Sequence, residues 1–192
     1  MINFIFLRKI GIYVFMCNKI IDLDTIVNEK DNQTIEKTLA AYLVEQHQTI
    51  AFAESCTGGY MSHLLTALPG SSLYFKGSVV AYANEIKTNI LHVSNSLLTT
   101  EGAVSEATVV QMAENVRQLF QTDYAIAVSG IAGPEGGTPQ KPLGTVWMAL
   151  AMKDKMITEL FQFGNAERGL IIRKTAIFAL SRLNNLINHT KH

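Results

Sequence analysis

Residues 49–59 read TIAFAESCTGG, an apolar run that ends in a polar, glycine-rich turn. The apolar run has the length of one buried strand, and the residues after the glycines have helical spacing as far as residue 67. A strand, a short turn and a helix in this order are typical of proteins in which helices cover a sheet. This stretch therefore predicts an α/β fold.

Helices and strands alternate on both sides of this stretch. Apolar spacing predicts helices at residues 34–46 and 84–92, a long one to residue 120 with Ser105 as its N-cap, and a last one from Arg168. Strands are predicted at residues 77–82 and 124–128, and residues 144–152 and 156–163 are predicted to pair as a β-hairpin. We therefore expect a three-layer α/β/α sandwich with a mixed, mostly parallel sheet and the hairpin as its antiparallel edge.

Two of these helices have a clear apolar face. The long helix carries Val109, Met112, Ala113, Val116, Leu119 and Phe120 on one side, and the last helix carries Ala176, Ala179, Leu180, Leu183 and Ile187. Such stripes are buried when a helix packs on a sheet.

Composition excludes some classes of partner. The chain has 192 residues, with 16 Lys and Arg against 16 Asp and Glu, so it lacks the excess of basic residues that nucleic-acid binding requires. Only 17% of the residues are charged, which predicts a well-buried core and a surface that a second copy covers, as in a homodimer.

The first residues form an unusual segment. Residues 1–17 read MINFIFLRKIGIYVFMC, and two charges interrupt the apolar run, so it is too short for a membrane anchor. It has no cleavage site of a signal peptide, and we expect an upstream start codon with Met16 as the natural first residue. We predict that residues 1–31 are an N-terminal extension and residues 32–192 the functional domain. With Cys17 and Cys56 as its two cysteines, the chain fits the reducing cytoplasm.

Three polar or glycine-rich segments follow strands, which is where open α/β sheets build their sites. In the first, the amides and hydroxyls around Ser55 and Thr57 would hold an oxyanion or a phosphate, or they would only cap the next helix. Cys56 is a nucleophile or a small buried residue. No Gly-Lys-Ser or Gly-Lys-Thr follows, so an ATP-binding P-loop is not supported.

The other two segments begin at Tyr82 and Ser129. Lys87, five residues after Tyr82, is either a base in a cleft or a solvated lysine. Residues 129–137 read SGIAGPEGG, a loop that either approaches a ligand closely or is simply flexible. The histidines have no metal-binding spacing, and no Gly-x-Ser-x-Gly elbow is present, so we predict neither a metal site nor a Ser-His-Asp triad.

Taken together, these segments resemble the CinA C-terminal-domain family over roughly residues 34–187. The resemblance rests on a series of motifs in the family's order: AESCTGG (53–59), PGSS (69–72), YANEIK (82–87), GAVSE (102–106), SGIAGP (129–134), GG (136–137) and KPLGTVW (141–147). The stand-alone members are nicotinamide-nucleotide amidases, which hydrolyse nicotinamide mononucleotide to nicotinate mononucleotide and ammonia.

The resemblance implies a Ser-Lys amidase that needs no metal or cofactor. Ser55 matches the family's nucleophile, Lys87 its base and Tyr82 the residue that relays the proton or orients the lysine.

The resemblance also implies contacts with the substrate. We expect them from Thr57, Gly58 and Gly59 in the first turn, from Ser129, Gly130 and Gly133 in the glycine-rich loop, from Thr145, and from Arg168 or Arg173 on the last helix. Members often have Gly-Asp-Arg where this chain has GNAER at residues 164–168.

Two other functions stay open at this point. Longer CinA-like proteins carry an additional N-terminal domain, so the domain is alternatively a silent nucleotide-binding or interaction module. A different amide, such as a related pyridine nucleotide, is another possible substrate.

Overall fold

The computed structural model describes residues 12–14 and 34–189. The strands in this part are β1 (Ile12–Val14), β2 (Ile50–Glu54), β3 (Phe75–Val80), β4 (Tyr124–Gly130), β5 (Thr145–Ala151) and β6 (Met156–Gln162). The helices are α1 (Ile35–Glu45), α2 (Tyr60–Thr66), α3 (Asn84–Asn89), α4 (Asn95–Thr100), α5 (Glu106–Phe120) and α6 (Arg168–His189). None of these helices is both long enough and apolar enough to cross a membrane.

The strands form one mixed sheet in the order β1-β6-β5-β4-β2-β3. Strand β2 pairs in parallel with β3 and β4, whereas β5 is antiparallel to both β4 and β6. Among the described strands, only β5 therefore runs against the others. This arrangement confirms the predicted mixed, mostly parallel sheet.

The edge next to the hairpin differs from the prediction. The hairpin of β5 and β6 forms as expected, but it does not end the sheet, because β1 pairs in parallel with β6. The register sets Ile12 against Met156 and Val14 against Thr158. The segment consists of β-branched and aromatic residues, which favour strands. By pairing with β6 it forms hydrogen bonds with backbone N–H and C=O groups that an edge strand would leave unpaired. The rest of the predicted extension, including Cys17, lies outside the described residues.

Large and small side chains alternate along the three central strands, which gives the sheet two different faces. One face carries Ile50, Phe52, Ile126, Val128, Val146, Met148 and Leu150, which pack against α1, α2 and α6. The other is an alanine face, formed by Ala51, Ala53, Ala125, Ala127, Ala149 and Ala151, and the apolar stripe of α5 packs on it. Helices cover both faces, so the three-layer sandwich is confirmed.

The predicted helix faces are confirmed with one correction. The named residues of α6 are buried, and so are Val109, Met112, Ala113 and Val116 of α5. Leu119 is not, since 54% of it is exposed. It lies in the last turn of α5, two residues before the left-handed C-cap at Gln121. The Ser105 cap is also confirmed, because its hydroxyl accepts a hydrogen bond from the Thr108 amide.

One helix was not predicted. The segment expected as a single helix at 84–92 ends at Asn89, and a second helix, α4, follows from Asn95 to Thr100. His92 between them has a positive φ of 50°, which breaks the helix.

The alanine face gives a test of the packing. Replacing Ala127, which is fully buried, with leucine inserts a large side chain between β4 and α5. We expect Ala127→Leu to lower the free energy of unfolding by about 1–3 kcal/mol in urea denaturation. Val44→Leu, at a position 40% exposed, is the control that should leave it nearly unchanged. Equal stability of the two variants would show that α5 does not pack closely on this face.

Candidate active site

A cavity of about 180 Å³ opens at the carboxyl ends of β2, β3 and β4. Because these three strands run parallel, the segments that follow them meet at one edge of the sheet. Residues from the loop before α5 and from the start of α6 complete the wall. The lining residues are Ser55, Cys56, Tyr82, Asn84, Lys87, Ala103, Val104, Ser129, Gly130, Ala132 and Arg168.

Ser55 and Lys87 meet inside this cavity. The Nζ atom of Lys87 lies 3.2 Å from the Oγ atom of Ser55. Lys87 is only 1% exposed and Ser55 only 8%, so both groups are shielded from water. The structure thus brings together two side chains that are 32 residues apart in the sequence.

The surroundings of Lys87 are polar but uncharged. Its Nζ donates to the carbonyl oxygen of Ala81 at 2.6 Å and lies 3.4 Å from that of Tyr82. These two carbonyl oxygens and the Ser55 hydroxyl are three acceptors for the N–H groups of the amine, and none of them carries a charge. Burial lowers the pKa of Lys87, and the nearby Cys56 sulfur acts weakly in the opposite direction. Within residues 34–189 no carboxylate forms an ion pair with it.

Cys56 is a buried wall residue rather than a reactive thiol. It is 6% exposed, and burial raises its pKa to about 12. The charge of Glu54 raises it further, while its own backbone amide and Lys87 act in the opposite direction. A thiol with this pKa is protonated at neutral pH and is a poor nucleophile.

The turn after β2 is organised by Glu54, a residue that the sequence did not single out. Its fully buried carboxylate accepts from the Thr57 hydroxyl at 2.7 Å and from the amides of Gly59 and Met61 at 3.0 and 3.1 Å. The other oxygen accepts from the amide and the hydroxyl of Ser62, at 2.8 and 2.6 Å. Neither Ser55 nor Thr57 caps α2, and the Ser55 hydroxyl is left to Lys87.

Two amides next to Ser55 point to an oxyanion site. The Gly58 amide donates to the carbonyl oxygen of Ser55 and the Gly59 amide to Glu54, so neither is available to a ligand. For the amides of Cys56 and Thr57 the described residues supply no backbone acceptor, and the Cys56 amide lies close to its own thiol. These two N–H groups follow the nucleophile candidate directly.

Tyr82 lies at the mouth of the cavity rather than inside it. It is 61% exposed, and its hydroxyl accepts a hydrogen bond from Arg168 at 2.9 Å. The same guanidinium donates to the carbonyl oxygen of Gly133 at 2.6 Å. The Tyr82 carbonyl faces Lys87, but its hydroxyl is bonded to Arg168 instead, so a proton relay through Tyr82 stays a prediction.

Ser129 and Gly130 of the glycine-rich loop do line the cavity. The Ser129 hydroxyl donates to the carbonyl oxygen of Ala103 at 2.7 Å, which holds the loop before α5 in place. A Cβ atom at Gly130 would lie 2.5 Å from a Val146 methyl group. Only glycine therefore fits where β4 meets β5.

Other predicted substrate contacts lie away from the cavity wall. Thr57 and Gly59 bind Glu54, and Gly58 is exposed on the turn. The Thr145 hydroxyl donates to the carbonyl oxygen of Pro142 at 2.7 Å and lies 3.1 Å from the side-chain oxygen Oε1 of Gln162. Arg173 is exposed further along α6 and does not line the cavity. The roles of these residues in binding stay predictions.

The wall also includes residues that sequence reasoning did not select. Asn84 begins α3, and Ala103 and Val104 precede α5. Asn84 belongs to the motif YANEIK and the other two residues to the motif GAVSE. Membership in these motifs was the sequence feature from which their place in the wall could have been predicted. No group of three or more His, Cys, Asp or Glu side chains in the described residues is arranged to hold a metal ion.

The state of Cys56 can be tested by alkylation. With a pKa of about 12, roughly one thiol in 10⁴ is ionised at pH 8, so iodoacetamide should not label the Cys56 peptide of the folded chain. The same peptide should react at the rate of a free cysteine in urea. Rapid labelling of the folded chain, measured by mass spectrometry, would show that this wall is open and the thiol ionisable.

Known proteins with this fold and these motifs form one family. The family model described as the CinA C-terminal domain matches residues 32–187. The chain is 47% identical over 161 residues to a CinA-like protein from Cytophaga hutchinsonii, an alignment that covers 84% of this chain and 38% of the relative. A CinA-like protein from Pseudothermotoga lettingae is 45% identical over 159 residues, covering 81% and 39%. The chain thus spans little more than a third of the length of these relatives.

Solved structures agree with the sequence relatives. The competence damage-inducible protein A from Klebsiella pneumoniae superposes with a TM-score of 0.78 at 34% identity, covering 81% of this chain and 96% of that one. A competence/damage inducible protein from Agrobacterium tumefaciens gives a TM-score of 0.75 at 36% identity, covering 79% and 94%. The chain therefore belongs to the CinA C-terminal domain family.

Proposed function

We propose that this chain is a nicotinamide-nucleotide amidase, which converts nicotinamide mononucleotide into nicotinate mononucleotide and ammonia. The observation that carries the proposal is the buried pair of Ser55 and Lys87, 3.2 Å apart. A serine hydroxyl becomes a useful nucleophile when an adjacent base takes its proton, and a desolvated neutral lysine is such a base. Family membership supports the choice of an amide as substrate.

The reaction proceeds in two halves with Lys87 as the proton carrier. In the first, Oγ of Ser55 bonds to the carboxamide carbon while its proton moves to Nζ of Lys87. The C–N bond then breaks, the leaving nitrogen takes that proton, and ammonia departs. In the second half, water gives a proton to Lys87 and attacks the acyl ester, the ester bond to Ser55 breaks, and the serine oxygen is reprotonated.

The negative charge that develops on the carbonyl oxygen needs donors close to Ser55. The amides of Cys56 and Thr57 fit this need, since they adjoin the nucleophile and have no backbone acceptor among the described residues. Preorganised backbone donors of this kind stabilise the transition state more than the ground state.

The size of the cavity supports a partial insertion of the substrate. About 180 Å³ is less than the 300 Å³ or more of a pocket that encloses a whole ligand, so the pyridine carboxamide would enter while the phosphate stays at the mouth. Arg168 lies there with a carbonyl and a phenol as its partners, neither of which neutralises its charge. The guanidinium is thus a suitable phosphate ligand.

We infer that the protein is cytoplasmic, which its two cysteines support, and that it is a homodimer, which its low charged fraction supports. The large apolar side chains of Leu73 and Leu119 are 66% and 54% exposed near β3, at the end of the sheet. A second copy would cover them.

A silent nucleotide-binding or interaction module is the second candidate. It is favoured by the names of the relatives, which state no enzymatic activity, and by the short share of their length that this chain spans. Calorimetry that finds tight mononucleotide binding without turnover would support this candidate.

Ammonia release from nicotinamide mononucleotide tests the amidase directly. We expect Ser55→Ala to lower kcat at least about 1,000-fold, because the nucleophile is lost. Lys87→Met keeps the length of the side chain without its base and should lower kcat by about 10²–10⁴-fold. Ser72→Ala and Lys155→Met, at exposed positions, are the matched controls.

Circular dichroism should show all four variants folded. If Ser55→Ala and Lys87→Met both release ammonia at the rate of the wild type, the mechanism is refuted. No turnover by the wild type on the mononucleotide, or on a panel of related pyridine carboxamides, would refute the amidase itself.

A further inference from the structure

Glu54 is a fully buried carboxylate without a cationic partner in the described residues. Its charge is balanced instead by hydrogen bonds from Thr57, Gly59, Met61 and Ser62. These donors include the first amides of α2, where the helix dipole also favours a negative group. The N-terminus of α2 is therefore already occupied by a side chain of the chain itself.

The main chain of Glu54 reaches the other half of the site. Its carbonyl oxygen accepts from the Ala81 amide at 2.7 Å, and the Ala81 carbonyl oxygen accepts from Nζ of Lys87 at 2.6 Å. One residue thus holds the turn of Ser55 through its carboxylate and the acceptor of Lys87 through its backbone.

The turn has little else to fix its shape. Gly58 and Gly59 have φ angles of 60° and 98°, and a Cβ atom at Gly58 would meet nothing within 4 Å. Glycines in this region are free to adopt other conformations, so the geometry comes from the contacts around them. Those contacts are the backbone hydrogen bonds of the Ser55, Gly58, Tyr60 and His63 amides, the contact of the Ser55 hydroxyl with Lys87, and the hydrogen bonds to the Glu54 carboxylate.

We infer that Glu54 is a positioning residue, which sets Ser55 against Lys87 and turns the amides of Cys56 and Thr57 towards the cavity. Thr57 then acts through Glu54, and not as a ligand of the substrate's phosphate. The inference rests on the proposed amidase function for its kinetic consequences. Its structural consequence, an ordered turn, does not depend on the substrate.

Two variants separate positioning from binding. In Glu54→Gln one carboxylate oxygen becomes an NH₂ group, which is a donor and cannot accept a hydrogen bond. Both oxygen positions face backbone N–H donors, so hydrogen bonds are lost in either orientation of the amide. We expect kcat to fall about 100-fold with an unchanged KM, because misplacement of a nucleophile by about 1 Å has this effect. Thr57→Val keeps the shape of the side chain but removes one donor to the carboxylate, and kcat should fall about 10-fold.

The controls make the same chemical changes elsewhere. Glu159→Gln alters a carboxylate of strand β6, away from the cavity, that pairs with Arg182 of α6. Thr175→Val alters a buried threonine whose hydroxyl donates a hydrogen bond to a carbonyl oxygen within α6. Both should retain the kcat and KM of the wild type.

Hydrogen exchange by mass spectrometry supplies a readout that needs no substrate. In Glu54→Gln and Thr57→Val the amides of residues 55–62 should exchange faster, while β4 and α5 exchange as in the wild type. A carboxylate that only contributes to global stability would instead speed exchange in β4 and α5 as well, which would overturn the inference.

The kinetic result also has outcomes that overturn the inference. Thr57→Val with a raised KM and unchanged kcat would make Thr57 a substrate ligand, and Glu54→Gln with full kcat would remove the positioning role. If the wild type fails to release ammonia, the proposed function fails, but local exchange at residues 55–62 still decides whether Glu54 orders the turn.

Discussion

The site depends on a buried amine that has no ion-pair partner among the described residues. Lys87 is 1% exposed, and its neighbours at Nζ are the carbonyl oxygens of Ala81 and Tyr82 and the hydroxyl of Ser55. A buried ammonium ion is disfavoured unless it is paired, so burial lowers the pKa of Lys87 and makes the loss of its proton easier. A lysine at the same position with a carboxylate beside it would stay charged and could not accept a proton from serine.

The fold separates the charges of the site so that this state persists. The one carboxylate directly before Ser55 belongs to Glu54, and the donors of α2 surround both of its oxygens. The guanidinium of Arg168 lies outside, at the mouth. The negative group is held under the turn and the positive group faces the solvent, so neither lies beside Ser55 and Lys87.

The sequence predicted those parts of the molecule that follow from local pattern. The β2 strand, the Ser105 cap and the apolar face of α6 each follow from residues that are close together in the chain. Ser55 and Lys87 were identified through motifs, and the parallel strands explain why they meet. The pairing of β1 with β6 and the hydrogen bonds of Glu54 and Thr145 were not predicted, because each depends on which distant partner a backbone or side-chain group finds in three dimensions. The periodicity of apolar residues does not indicate which distant groups become hydrogen-bond partners.

The central claim is that burial beside Ser55 lowers the pKa of Lys87, and its titration tests this most directly. Carbon-13 NMR of the chain labelled at the lysine Cε atoms gives the pKa of each amine, and Lys87→Met identifies the signal of residue 87. The account predicts that this signal titrates below the ordinary value of 10.5, because burial lowers the pKa of Lys87. A Lys87 pKa at or above the ordinary value would contradict the account, because a charged amine cannot serve as the base for Ser55.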